Sequence, residues 1–573
     1  MIKGIIFLFF YCLLLTLCIF IPYSLHLVNG VSNVIDPLFY AWNLSYNADN
    51  MFSGLSSALN TNIFYPLNNT LAYSDTLWVQ SLLTNPIIWL TNNPILAENL
   101  AVMFTFPLSA VSMYLLAWHF TKNTRASFLS GIFFTFSYPR LSQIGHLPII
   151  SSQWLPLYLL FLIKFLNDGK RINFLFLCIF YLFAIGSSIY FGVFLIPITL
   201  LILLIDMLNR IRHHTINEYS KLTISAFPIV IPFSILLTLI VFPYVRLKVE
   251  YPTIKRAIDD VTFLRASPVD FISILPTSLF SRFLPNNTNE HALFPTFTLI
   301  LLAFFGIIRS AKRYRYAVVV FITIAASSFI LSLGNEQSFS IGSFSIGPLK
   351  LPYYYFYMWF PIFQIVRVPA RFSIFIILSL SMLASFRLDA LLKKPRSWVL
   401  TIIILVIFLM EVWQKNTPFV SIPEKNAIPK VYSWLRAQPE PVVIAELPIS
   451  LFYHGTMMEN QLYTSYASLN ESGIYAIETY RIYFSTLHKK RMINGYSGFL
   501  PDRYNRTSEI LESFPEEHTI QTLLDIGVTH VIVHIWQYDK RKIPVIMESI
   551  NRSLRLKLLY SDPNDLVYSL IKN

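Results

Sequence analysis

The sequence predicts a polytopic, all-helical membrane domain of about eleven transmembrane helices, followed by a soluble α/β domain. Apolar residues make up 55% of the 573 residues, charged residues only 13%, and the mean hydropathy is +0.55. Apolar runs of about 17–25 residues recur, which is the length that a helix needs to cross a bilayer. After about residue 416, charges of both signs become frequent. We therefore expect a membrane domain over 1–415 and an α/β domain over 416–573.

The apolar runs place the transmembrane helices in order along the chain. We predict spans at 5–28, 96–121, 126–143, 149–166, 173–190, 191–208, 222–245, 293–308, 316–334, 371–387 and 397–414. Long polar loops interrupt them at 29–95, 246–292 and 335–370. The segment 78–91 is apolar but contains Pro86, so we expect it to lie at the membrane interface. Cys12, Cys18 and Cys178 fall inside spans, which predicts packing roles rather than a disulfide or zinc site.

The distribution of basic residues predicts the orientation. If Lys3 is cytoplasmic, the short loops on its side, such as 309–315, carry an excess of Lys and Arg. Cytoplasmic loops are enriched in these residues. An odd number of spans then places the three long loops and the C-terminal domain on the other side. We predict an integral multi-pass protein of the plasma (inner) membrane, with a cytoplasmic N-terminus and an extracytoplasmic C-terminal domain.

The C-terminal domain shows alternating strand and helix patterns. Residues 441–447 are typical of a strand, 519–526 of an amphipathic helix that ends at Gly527, and 529–534 of a buried strand. A helix, a glycine and a strand in succession indicate an α/β domain. The chain has no Gly-rich phosphate loop, no His-Glu-x-x-His and no Gly-x-Ser-x-Gly. We therefore expect no nucleotide or redox cofactor and no nucleic-acid partner.

Asp36 lies just past the first predicted span, in the sequence Asp36-Pro37-Leu38-Phe39-Tyr40-Ala41-Trp42. A carboxylate at this place, among aromatic residues and before a long polar loop, suits chemistry at the membrane surface. The alternative is that Asp36 caps the next helix, because Asp-Pro is a common helix start. Asp75 lies in the same loop, and it has the same alternative as a cap for a helix that begins near Leu77.

The order of a first helix, a long outer loop, many helices and an outer domain resembles the GT-C superfamily of membrane glycosyltransferases, which is related in architecture to protein mannosyltransferases and oligosaccharyltransferases. As motifs, the resemblance is strongest in Asp36 to Trp42 and in Ile365-Val366-Arg367-Val368-Pro369-Ala370-Arg371-Phe372. The segment Asn494-Gly495-Tyr496-Ser497-Gly498-Phe499 resembles one in large bacterial membrane proteins that are linked to this superfamily only by analogy. The resemblance implies transfer of a sugar from a polyprenyl-phosphate donor at the outer face, for synthesis of cell-envelope glycan, glycolipid or glycoprotein. Many members carry paired acidic residues in the first loop, whereas Asp36 has no acidic neighbour. The resemblance therefore leaves a divalent cation open as a cofactor.

The resemblance also implies roles for individual residues. Asp36 is the candidate base that deprotonates the acceptor, and Asp75 is the candidate second carboxylate. Arg367 and Arg371 are the candidates for holding the leaving phosphate, because arginine grips phosphate through two parallel hydrogen bonds. The alternative for these two arginines is contact with lipid headgroups. Arg246, Arg256 and Arg265 of the second loop are further candidates for holding the phosphate, and the alternative is that they are solvated surface charges. His146 is a further candidate for catalysis, and the alternative is a structural histidine.

Two other classes of function compete with a transferase. The first is a lipid-linked glycan flippase or transporter, and the second is an inactive GT-C-like scaffold that binds lipid-linked glycans. Ion-coupled carriers place ionisable residues at mid-membrane, whereas Glu98, Asp206 and Glu411 lie near the ends of predicted spans. No inverted repeat is recognisable. In every case we expect a lipid-linked sugar and membrane lipids as partners, and the sequence names no protein partner.

Overall fold

The computed structural model describes residues 2–252, 257–310, 312–341, 344–423, 427–449, 471–538 and 540–572. The chain divides into two compact units. The first, here called the helical unit, contains Met1–Leu25, Leu100–Phe242 and Lys248–Thr417. The second, here called the mixed unit, contains His26–Asn99, Pro243–Leu247 and Pro418–Asn573. The first long loop, which we assigned to the membrane domain, thus falls in the same unit as the C-terminal segment.

Long apolar helices make this chain an integral membrane protein. Within the described residues, seven helices are long and apolar enough to cross a bilayer: Ile2–Ile19, Pro94–Thr121, Leu147–Asp168, Ile189–Arg212, Glu218–Glu250, Arg315–Ser332 and Pro369–Leu391. Three shorter apolar helices are Arg171–Ser187, Phe297–Ser310 and Trp398–Val412. Each of these ten lies on a predicted span. Arg246 does not lie in a loop as predicted, because the helix Glu218–Glu250 continues past it.

The prediction of one continuous helix over 126–143 is wrong. The helix spans only Thr124–Thr135, and a separate short helix, Tyr138–Leu141, contains Pro139. Proline has no N–H, so Pro139 cannot donate to the carbonyl oxygen of Thr135, four residues earlier. The buried Arg140 side chain donates to the carbonyl oxygens of Thr135 (2.9 Å) and Ile150 (3.0 Å). The guanidinium thus satisfies backbone acceptors that the break leaves open.

Close helix contacts shape the helical unit. A Cβ atom on Gly306 would lie 2.0 Å from the carbonyl oxygen of Leu383, so only glycine permits this approach of the helices Phe297–Ser310 and Ser373–Leu391. Small residues allow helix backbones to pack closely in this way. The third long loop contains a hairpin, Glu336–Ile341 and Phe344–Lys350, and the aromatic helix Pro352–Trp359. The span Leu147–Asp168 consists of two helices, Leu147–Ile150 and Trp154–Asp168, and Ile258–Phe263 is a further short helix of this unit.

A five-stranded sheet forms the centre of the mixed unit. Its order is Arg491–Met492, Val443–Leu447, His530–His534, Asp565–Leu570 and Leu556–Ser561. The first three strands are parallel, and the last two pair antiparallel. The accompanying helices are Lys430–Ala437, Glu471–His488, Asp502–Leu511, Glu517–Ile526 and Ile543–Arg552. Gly527 ends one helix with a left-handed φ of +97°, at the position predicted from sequence.

The first loop adds three helices to the mixed unit: Asp36–Asn50, Leu55–Leu59 and Trp78–Thr91. We call Asp36–Asn50 the Asp36 helix. Between these helices the backbone N–H groups of Phe64 and Tyr65 donate to the carbonyls of Asn494 (3.0 Å) and Met492 (2.9 Å). Residues 30–31 also pair with 420–421. The first loop is therefore hydrogen-bonded along the edge of the C-terminal sheet.

Candidate functional site

Asp36 is the first residue of the Asp36 helix, and Pro37 follows it in the first turn. Ile35, not Asp36, takes the N-cap position. The Asp36 side chain is half-buried, and its Oδ1 accepts a 3.2 Å hydrogen bond from the Tyr496 hydroxyl. The rings of Phe39 and Tyr475 each lie 5.8 Å from the Tyr496 ring. Asp36 therefore combines a helix N-terminus, which favours negative charge, with an aromatic surround and a tyrosine donor.

Tyr496 is positioned by its neighbours in the segment 494–499. The buried Asn494 side chain exchanges two hydrogen bonds with the backbone of Glu446, at 2.8 and 2.9 Å. A Cβ atom on Gly495 would lie 2.5 Å from the Phe64 ring, so the segment passes directly over the first loop. The sequence motif drew attention to this segment without assigning a role to Tyr496. The structure brings Tyr496 to Asp36.

Asp75 belongs to a segment that is bound to the Asp36 helix. Asn43 donates to the Asp75 carbonyl (3.2 Å), and Asn47 donates to the Thr76 carbonyl (2.9 Å). Asn43 lies seven residues after Asp36, which is about 10 Å along a helix. Leu77 takes the N-cap position of the next helix, so the capping role considered for Asp75 falls to another residue. The structure thus brings Asp75 close to the Asp36 helix through its backbone.

Arg371 lies in the helical unit and is paired with a carboxylate. Its Nε and Nη2 donate to Oε1 of Glu290 at 3.0 and 2.5 Å, and both side chains are nearly buried. The guanidinium carbon lies 4.5 Å from the Tyr190 ring centre. Burial raises the pKa of Glu290, but the charges of Arg371 and His146 lower it more, so this pKa lies below its usual range. Glu290 is an anion for Arg371 that sequence reasoning missed, because nothing local distinguishes it in a charged loop.

The other basic candidates differ in their surroundings. Arg367 is exposed, and its backbone N–H donates to the Tyr190 hydroxyl at 3.2 Å. Arg265 is half-buried, and its Nη1 has no hydrogen-bond partner within the described part of the chain. Arg246 is exposed and belongs to the mixed unit. Arg256 lies outside the described residues. The structure therefore brings Arg367 and Arg371 together around Tyr190.

His146 takes the N-cap position of the helix Leu147–Ile150 and is half-buried. Its backbone N–H donates to the carbonyl oxygen of Gln143 at 2.8 Å, and its charge helps to lower the pKa of Glu290. Gln143, from the same turn, donates to Oε2 of Glu290 at 3.2 Å. His146 is thus one of several polar groups gathered around a buried carboxylate.

The donor set for a metal ion is small. Across the described ranges, no group of three or more His, Cys, Asp and Glu side chains is arranged to hold a metal ion.

Comparisons with known proteins give structural likenesses. No protein-family model matches the sequence, and no curated protein sequence matches it. The chain is similar to arabinofuranosyltransferase AftD from mycobacteria, at 13% identity and a TM-score of 0.49, over 100% of this chain and 41% of that one. It therefore spans less than half of AftD. This chain is also similar to the archaeal oligosaccharyltransferase AglB from Archaeoglobus fulgidus, at 11% identity and a TM-score of 0.42, over 99% of this chain and 74% of that one.

ArnT from Cupriavidus metallidurans is also similar, at 14% identity and a TM-score of 0.44, over 99% of this chain and 98% of that one. These three solved structures are GT-C glycosyltransferases, the superfamily that the sequence motifs resemble. Each TM-score lies below 0.5 and each identity below 15%, so the likeness fixes neither donor nor acceptor.

Proposed function

We propose that this protein is a membrane glycosyltransferase that uses a polyprenyl-phosphate-linked sugar, with Asp36 as its general base. The observation that carries the proposal is the hydrogen bond between Asp36 and Tyr496, which joins two motifs that lie far apart in the sequence. A half-buried carboxylate that is held in place by a tyrosine, at a helix start beside aromatic rings, is arranged to accept a proton. The sugar acceptor would be a cell-envelope glycan, glycolipid or protein.

The proposed reaction balances without a further reactant. The Asp36 carboxylate takes the proton of an acceptor hydroxyl, and the hydroxyl oxygen attacks the anomeric carbon of the donor sugar. The bond from that carbon to the phosphate oxygen breaks, and polyprenyl phosphate leaves with the electron pair. Tyr496 holds the carboxylate in position through its 3.2 Å hydrogen bond. General acid–base catalysis of this kind contributes a factor of about 10²–10⁴ to the rate.

Arg367 and Arg371 are proposed to hold the phosphate of the lipid. Arg367 is exposed and lies four residues before Arg371, and the Tyr190 side chain contacts both residues. Because Glu290 already binds Arg371, we assign Arg367 the direct phosphate contact and Arg371 a positioning role around Tyr190. These roles lie within the helical unit and are tested separately from that of Asp36.

The test of the base compares three variants of the full-length protein in lipid nanodiscs. Asp36→Asn keeps size and polarity, so we expect normal folding and a loss of sugar transfer from a polyprenyl-phosphate donor of about 10² or more. Asp36→Ala should lose activity equally. Both variants remove a favourable charge from the first turn, worth about 0.3–1 kcal/mol of stability, and Ala additionally removes the acceptor of the Tyr496 hydrogen bond. Asp502→Asn is the matched control, since Asp502 also begins a helix in the mixed unit.

Three results would contradict the proposal. Full transfer by well-folded Asp36→Asn would exclude Asp36 as the base. If the wild-type protein transfers no sugar but moves lipid-linked sugar across the bilayer, the flippase would be favoured instead, because a flippase needs no base. Binding of the lipid with neither transfer nor movement would favour the scaffold.

A further inference from the structure

A polar cleft lies beside the second half of the Asp36 helix, in the mixed unit. Its volume is about 560 Å³, which is within the range of roughly 300–1,000 Å³ that is typical of small-molecule sites. Hydroxyl and amide side chains dominate its lining, and the charged residues in it are Asp49, Lys489 and Arg491. Trp42 and Tyr46 supply aromatic rings. The cleft serves none of the roles assigned above.

The walls of the cleft are held by hydrogen bonds between distant parts of the chain. Trp42 Nε1 donates to Asn62 Oδ1 at 3.1 Å, and Asn62 Nδ2 donates to Ser485 Oγ at 3.0 Å. The Tyr46 hydroxyl donates to the carbonyls of Ser57 (2.5 Å) and Asn60 (2.8 Å). These bonds hold the Asp36 helix, residues 57–62 and Ser485 in place before any ligand binds. A preorganised site loses less entropy on binding.

The charges of the cleft favour an acidic ligand. Asp49 and Lys489 form an ion pair at 2.6 Å and compensate each other. Arg491 is exposed, and in the described part of the chain no carboxylate lies within ion-pair distance of it. Its guanidinium stacks at 5.9 Å over the ring of Tyr65. Arg491 therefore makes no ion pair within the described residues, although its charge helps to lower the pKa of Glu440, which pairs with Lys490. Arginine binds carboxylate and phosphate groups through paired hydrogen bonds.

We propose that this cleft binds an acidic saccharide, a sugar chain that carries carboxylate or phosphate groups. Each sugar hydroxyl both donates and accepts, which matches a lining of hydroxyl and amide groups. The half-buried ring of Tyr46 offers an apolar face for the C–H groups of a sugar ring. Arg491 takes the acidic group. Trp42 and Asp49 lie six and thirteen residues after Asp36, which is about 9–20 Å along the helix axis. The cleft is therefore separate from Asp36, and the inference does not rest on the proposed transferase activity.

The test measures binding without any sugar donor. Full-length protein in nanodiscs is titrated calorimetrically with tetragalacturonate and with its methyl ester, which has the same sugar chain but uncharged, methylated carboxyl groups. We expect the acid to bind at least tenfold more tightly than the ester. Arg491→Gln should abolish this preference, whereas Arg503→Gln, at an exposed arginine of the same unit, should not. Asp36→Asn should bind like the wild type, so failure of the transferase proposal leaves this test intact.

A second variant tests the place of binding. Ser57 is exposed at the cleft, and Ser57→Trp should fill it and lower the affinity for the acid at least tenfold without changing the melting temperature. Equal binding of acid and ester, or an unchanged affinity in both Arg491→Gln and Ser57→Trp, would overturn the proposal. Failure of the wild type to bind either saccharide would also overturn it.

Discussion

At the scale of single residues, the two candidate arginines have different environments. Arg371 makes an almost buried pair with Glu290, whereas Arg367 is exposed beside the same tyrosine. From the sequence, a cation in the first turn of a helix indicates a nearby anion, because it opposes the helix dipole. That anion is a protein carboxylate in this structure. The two arginines should therefore respond differently to the same substitution.

We predict that Arg367→Lys weakens binding of polyprenyl phosphate about tenfold to a hundredfold without changing stability. The reason is the loss of one charge-assisted hydrogen bond, worth about 1.5–3 kcal/mol, at an exposed site. Arg371→Lys should also lower the melting temperature, because lysine cannot reproduce the two bonds to Glu290. Lipid titration and thermal unfolding measure both effects, and Arg309→Lys is an exposed control in the helical unit. Unchanged lipid affinity in both variants would leave contact with lipid headgroups as their role.

At the scale of secondary-structure elements, the segment 494–499 connects the sheet to the first loop. Its backbone bonds reach Phe64, its Asn494 side chain bonds the strand Val443–Leu447, and its Tyr496 reaches the Asp36 helix. The Phe64 ring is fully packed, with the rings of Tyr73 and Tyr504 within 5.5 Å. Little room remains for a side chain at Gly495.

We predict that Gly495→Ala destabilises the protein by about 1–3 kcal/mol, because the added methyl group meets the Phe64 ring. It should also lower transfer activity by displacing Tyr496. The double variant Phe64→Leu/Gly495→Ala should recover part of the stability, since the smaller side chain leaves space. Chemical denaturation measures the coupling between the two sites. If the stability change of the double variant equals the sum of the changes in Phe64→Leu and Gly495→Ala, the contact between the two sites does not determine the stability of this segment.

A buried charge network lies at the ends of two parallel strands of the sheet. His534 contacts Asp565 through Nδ1 (2.7 Å) and Glu446 through Nε2 (2.9 Å), and Arg481 donates to Glu478 (2.5 Å). Burial lowers the pKa of His534, but Asp565 and Glu446 raise it more, so the net shift is upward. Burial raises the pKa of Glu446, but His534 and Arg481 lower it more, so the net shift is downward.

The signs of these shifts predict a stability optimum in pH. The contribution of His534 is fully present below about pH 6.5 and is lost as pH rises through its raised pKa. The contribution of Glu446 is present above about pH 4.3 and is lost as pH falls through its lowered pKa. Resistance of the mixed unit to proteolysis in urea should therefore decline on both sides of this window. His534→Gln should remove the alkaline decline, while His518→Gln, at an exposed histidine, should retain it.

At the scale of the whole molecule, apolar helices and the charges at their ends define how the chain enters the membrane. Ion pairs lie at helix ends: Asp206 with Arg210 near the end of Ile189–Arg212, and Asp389 with Arg313 (3.0 Å) at the end of Ser373–Leu391. These residues lie on the side that we predict to be cytoplasmic. Positive charge concentrated on one side sets the orientation of a polytopic protein.

We predict that a reporter active only in the cytoplasm is inactive when fused after Asn573. The same reporter fused within the loop 309–315 should be active, because that loop belongs to the basic side. Expression of both fusions at equal levels is the control. Activity after Asn573 would reverse the predicted orientation and place the C-terminal domain in the cytoplasm.

The sequence by itself predicted the ten apolar helices, the change of composition near residue 416 and the helix end at Gly527, and it indicated the segments around Asp36, Arg371 and Tyr496 as candidates. Hydropathy, periodicity and helix-end preferences are local properties, so a single sequence contains them. Only the tertiary structure decided that Tyr496 bonds Asp36 across 460 positions and that Glu290 binds Arg371 across 81. It also decided that the first loop joins the C-terminal sheet and that Arg140 closes a helix break. Such pairs depend on how distant segments pack, and no local pattern specifies which of many polar residues will meet.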